Sequence, residues 1–148
     1  MGCDIHVMLE EKDADTGKWI NINTFPSHHM QYADKDAMMD GYSMPVAESR
    51  NYQRFGALAG VRCDGPNPRG LPDNISETTA FMANKIGQDG HSHSWLPFKD
   101  AVKIWKDTEY KELSDNTKKY PASYFFTVDD IEEDKDWDRY RVVFWFDN

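Results

Sequence analysis

Two pairs of residues spaced two apart have the chemistry to hold a metal ion. They are Asp4 and His6 near the N-terminus, and His91 and His93 in Gly90-His91-Ser92-His93-Ser94-Trp95. In an extended backbone, side chains at i and i+2 leave from the same face. Each pair therefore predicts two ligating groups on one side of a strand. Brought side by side, they would form a mixed nitrogen and oxygen set of the kind zinc or manganese accepts. A divalent metal held by Asp4, His6, His91 and His93 would lower the pKa of bound water and polarise a phosphoryl oxygen. Asp64 and Asp89 are carboxylates that would suit a second metal position. The plainer alternative has the imidazoles of His91 and His93 bonded to backbone or to Asp89, with Trp95 packed beneath.

A phosphoester hydrolase also needs groups for the substrate's charge and for the leaving group. Arg62 and Arg69 flank a loop with three prolines and two glycines in the ten residues 63–72, a composition that restricts the backbone. A guanidinium on such a loop is a fork for phosphate or carboxylate; the alternative is a salt bridge to one of the many acids. His28 or His29 would protonate the leaving group. In a second reading the protein binds without catalysis. The histidines, the arginines and Trp95 then recognise a small nucleotide-like ligand, or the acidic surface covers a basic patch on a host protein. No P-loop, GxGxxG, GxSxG or HExxH pattern occurs, so the mechanisms tied to those motifs have no support.

The elements that must position these residues are legible in part. Residues 3–12 alternate, with Ile5, Val7 and Leu9 on one face and Asp4, His6, Met8 and Glu10 on the other. The turn at 13–17 and a second strand at 18–25 complete a hairpin. A polar, Met-rich stretch at 27–45 has no clean period and suits a mobile loop. Helices are predicted over 49–61 with Ser49 as N-cap, over 76–86 with Ser76 as N-cap and Gly87 as terminator, and over 97–110. The third carries Phe98, Ala101, Val102 and Trp105 as its apolar stripe. Residues 120–128 read as a strand, 129–138 as an acidic turn, and 139–146 as a strand apolar on both faces, suited to a sheet interior. The whole is predicted as one domain of 148 residues. Its fold class is α+β, an antiparallel sheet of the N-terminal hairpin and C-terminal strand with about three helices packed on one side.

Composition narrows the partners. The chain carries a net charge of −9 and lacks any run of lysine and arginine, which disfavours binding to bare DNA or RNA. Cys3 and Cys63 form no CxxC, and Cys3 is expected in the core. With no signal peptide and no apolar run long enough to span a bilayer, the expectation is a cytoplasmic protein with no membrane partner.

The segments Met1-Gly2-Cys3-Asp4-Ile5-His6, Phe55-Gly56-Ala57-Leu58-Ala59-Gly60-Val61-Arg62, Arg69-Gly70-Leu71-Pro72, His91-Ser92-His93-Ser94-Trp95-Leu96 and Val142-Val143-Phe144-Trp145-Phe146-Asp147-Asn148 are similar to the pattern of an uncharacterised family of small bacteriophage and bacterial proteins. Residues 27–45 and 110–138 do not share in the match. The resemblance carries no established activity and no catalytic residue. It implies a phage-linked setting in the host cytoplasm, where small proteins often antagonise host defence. A binder of a nucleotide signal, or an inhibitor of a host defence protein, therefore stands beside the metal-dependent hydrolase.

Overall fold

A computed structural model describes residues 2–22, 50–108 and 137–148. The expected loop at 27–45, the strand at 120–128, His28 and His29, and nearly all of the acidic run lie outside the described residues. Within them run β1 (Asp4–Lys12), β2 (Trp19–Asn21), α1 (Tyr52–Ala59), α2 (Glu77–Ile86), β3 (Gly90–Pro97), α3 (Phe98–Asp107) and β4 (Tyr140–Asp147). Short 3-10 turns precede β3 and β4. The four strands form one antiparallel sheet in the order β2-β1-β4-β3. The predicted α+β class and the pairing of the first and last strands are both present.

The hairpin closes because Asp13 turns the chain. Its Oδ1 accepts the N–H groups of Asp15 at 2.7 Å and Thr16 at 3.1 Å, and Gly17 supplies a φ of +71°. The N-cap of α1 is Asn51, not Ser49: Asn51 Oδ1 accepts the Arg54 N–H at 3.0 Å, and Gly60 ends the helix in the left-handed region. Ser76 caps α2 as expected, through the Thr79 N–H at 3.2 Å.

The sheet is covered on both faces, which corrects the expectation of helices on one side. Ile5 and Val7 of β1, with Val142, Phe144 and Phe146 of β4, pack against Phe55 and Leu58 of α1 and against Phe98, Ala101, Val102 and Trp105 of α3. Cys3 sits in this core, as predicted. On the opposite face Met8, Val143 and Trp145 pack against Met82 and Ala83 of α2. The physical reason is β4 itself. All five residues 142–146 are sealed from water, and a central strand apolar on both faces needs cover on both.

Candidate functional site

β4 lies between β1 and β3, so the two predicted ligand pairs stand on strands that never touch. His6 of β1 is opposite Trp145 of β4, and its ring stacks alongside the indole at a centroid distance of 5.9 Å. On the far side the His93 ring stacks against the same indole at 6.0 Å. Trp145 is buried between the two imidazoles, and among the described residues its Nε1 has no hydrogen-bond partner.

His91 and His93 do not share a face, which corrects the i, i+2 argument. His91 pairs with Phe146 and Ser94 with Phe144, so β3 holds one more residue than β4 over this interval. The extra residue is accommodated by Ser92, whose φ of +54° is left-handed. His91 consequently stacks on Phe146 at 6.1 Å, on the α1 and α3 side, while His93 lies on the Trp145 side.

Each predicted ligand has its own surroundings. Asp4 is held by Arg50 through contacts of 2.7 and 3.2 Å, and that guanidinium keeps its carboxyl below the ordinary carboxylate range. His6 Nε2 meets Asp147 Oδ2 at 2.8 Å in a partly exposed imidazole–carboxylate pair. His91 Nδ1 is 3.0 Å from Ser92 Oγ, and its Nε2 is 3.4 Å from Asn148 Oδ1. Burial, followed by the nearby His91, pushes the His93 imidazole below its usual pKa. Asp64 and Asp89 are exposed. Among the described residues no three of the His, Cys, Asp and Glu side chains converge as a metal cage, so the four-residue set does not assemble here.

The two loop arginines differ sharply. Arg62, itself left-handed at φ +65°, reaches Asn148 Oδ1 at 3.5 Å and lies 5.7 Å from the Tyr52 ring. It also hydrogen-bonds Cys3, whose thiol is nevertheless pushed up in pKa by burial. Arg69 is exposed and stands 5.0 Å over the Trp95 ring. Its backbone N–H donates to Ser94 Oγ at 3.0 Å, and the next N–H, from Gly70, donates to the His93 carbonyl at 2.8 Å. Among the described residues Arg69 has no carboxylate partner.

Arg69 ends a row of alternating rings and guanidinium groups. Trp19 lies 4.1 Å from Arg141, which lies 5.9 Å from Trp95, which carries Arg69. Arg141 is buried and neutralised by Glu10 at 2.7 Å, with Asn74 taking its remaining donors. The charge at the inner end of the row is cancelled and the charge at the outer end faces water. Sequence reasoning missed Ser94, Arg141, Asp147 and Asn148. An arginine set directly before the apolar run 142–146 of a predicted interior strand was the available signal for a buried Arg141–acid pair.

No protein-family model, curated protein or solved structure matches this chain.

Proposed function

We propose that the protein binds a phosphate-bearing, nucleotide-like ligand without transforming it, and that Arg69 is its anchor. The observation that carries this reading is a guanidinium with no carboxylate partner among the described residues, on a loop pinned to β3 by two successive backbone donors. A guanidinium lying over an indole keeps its N–H edge free for two parallel bonds to an oxyanion. Trp95 then acts as the seat of the arginine rather than as a platform for a base. The net charge of −9 opposes any anion at long range, but at physiological salt such repulsion is screened beyond about 8 Å. The local charge at Arg69 therefore governs the last step of binding.

One observation favours the metal-dependent hydrolase as the second reading. His6 is oriented by Asp147, the arrangement found behind metal-ligating and general-base imidazoles alike. Zinc or manganese is the metal this reading calls for, with His6 as a ligand.

Incubating the protein with adenosine monophosphate and with cyclic adenosine monophosphate, with and without Mn²⁺ or Zn²⁺, separates the two. Binding predicts stoichiometric ligand recovered intact after denaturation, and an Arg69→Ala variant weaker by about 1.5–3 kcal/mol. Product that requires both metal and His6 would replace the binding reading with the hydrolase.

A further inference from the structure

The bulge at Ser92 has a consequence beyond separating the two histidines. Without the extra residue, the pairing of His91 with Phe146 would continue as His93 with Phe144 and Trp95 with Val142. Trp95 would then project to the α1 and α3 side, and Ser94 would change faces with it. The observed register places Trp95 opposite Val143 and Ser94 opposite Phe144. It thus puts the indole under the Arg69 guanidinium and the hydroxyl under the Arg69 backbone. Ser94 is almost wholly buried, and its Oγ accepts the Arg69 N–H. Left-handed backbone at a non-glycine residue is unfavourable, and it persists where surrounding contacts hold it in place. Here the contacts made by the shifted register include those that seat Arg69.

We propose that Ser94 is a positioning residue for the Arg69 anchor: the bulged register of β3 aims its buried hydroxyl at the Arg69 N–H and so holds the guanidinium over Trp95, ready for an oxyanion. This rests on the binding reading above and adds the device that preorganises the site. A loop free to move would lose affinity by having to order on binding, with no contact to the ligand removed.

The test follows the Arg69 Nε–Hε signal of ¹⁵N-labelled protein while adenosine monophosphate is added. In the wild type that signal should carry the ring-current shift of Trp95 and move on titration. Ser94→Ala should weaken affinity about three- to tenfold, the worth of one neutral hydrogen bond, and return the Arg69 signal toward its unshifted position. The signals of Phe144 and Val143 should stay in place. Ser94→Thr, which keeps the hydroxyl, should restore both affinity and shift. Should Ser94→Ala fail to fold, Ser94→Cys keeps the volume with a much weaker acceptor and should show the same loss. Affinity within twofold of wild type, or an unchanged ring-current shift, would overturn the positioning role alone. A wild-type Arg69 signal that ignores the nucleotide would instead overturn the binding reading beneath it.

Discussion

Glu10 of β1 and Arg141 of β4 stand directly opposite one another, nitrogen to oxygen at 2.7 Å, both sealed from water. The pair is fully used. Glu10 Oε1 takes the guanidinium, while its Oε2 accepts the N–H of Ser76, the N-cap of α2. Arg141 spends its other donors on the side chain and carbonyl of Asn74. One ion pair therefore fixes the β1–β4 register and ties the start of α2 to the sheet.

Removing one partner of such a pair leaves a buried charge without its counterpart. Glu10→Ala is expected to destabilise the fold by about 3–5 kcal/mol. Replacing both, as Glu10→Leu with Arg141→Met, should cost less than the single change, because no buried charge is left behind. Urea unfolding of the three proteins measures this. A single variant within 1 kcal/mol of wild type would show that water reaches the pair.

The central position of β4 makes the C-terminus indispensable. Loss of residues 141–148 removes Val142, Phe144, Trp145 and Phe146, each fully buried and each worth about 1.5–3 kcal/mol or more. Together these approach the whole stability of an ordinary domain. The truncated chain should appear in the insoluble fraction on expression. A soluble, cooperatively melting product would contradict the central placement of β4.

The contrast between β4 and β3 shows what the sequence makes legible. Val142 to Phe146 is apolar at every position, and that alone predicts a strand inside a sheet. Alternation in β1 and the 3.6-residue stripe of α3 were equally plain, because hydrophobic burial dictates period. The same run in β4 also implied cover on both faces, a step the one-sided expectation did not take. The bulge was not legible. Its left-handed residue is a serine where a glycine would have advertised the conformation. The separation of the ligand pairs was hidden for a related reason. Strand order is set by long-range pairing, and no local pattern revealed that β4 would enter between β1 and β3.

Backbone strain at Ser92 yields a further expectation. Ser92→Val should destabilise the protein by about 1–3 kcal/mol, because a β-branched side chain is strongly disfavoured at positive φ. Ser92→Gly should be tolerated, losing a hydroxyl but relieving the conformation. Thermal melts of the two variants are sufficient. Equal melting temperatures would mean that the backbone at this residue is not held left-handed in solution.

His93 gives a pH expectation with a definite sign. Its pKa is lowered in the folded protein, chiefly by burial and then by His91. The folded state therefore binds this proton less readily than the unfolded chain. The resulting stability is present above the unfolded histidine pKa of about 6.5 and is lost as pH falls through the folded value. An NMR titration should place the His93 midpoint below that of an exposed histidine, and His91→Ala should raise it. His93→Phe should flatten the stability profile on the acid side of pH 6.5. A midpoint at or above 6.5 would reverse the argument.

The chemistry of the anchor separates charge from shape at Arg69. Arg69→Lys keeps one positive charge but loses the planar fork and its stacking on Trp95, each of which depends on the guanidinium. If Arg69 acted only as a point charge, lysine would restore most of the affinity lost in Arg69→Ala. For a bidentate, ring-seated anchor, lysine should recover less than half of that loss in free energy. Trp95→Leu should then weaken wild-type binding by about 0.5–1 kcal/mol, the worth of an exposed cation–π contact, and leave Arg69→Lys nearly unaffected. Calorimetric titrations with adenosine monophosphate at fixed ionic strength give all five affinities: wild type, the three single variants and the Arg69→Lys/Trp95→Leu double variant. An Arg69→Lys variant that binds as tightly as wild type would rule out the fork and leave a simple electrostatic contact in its place.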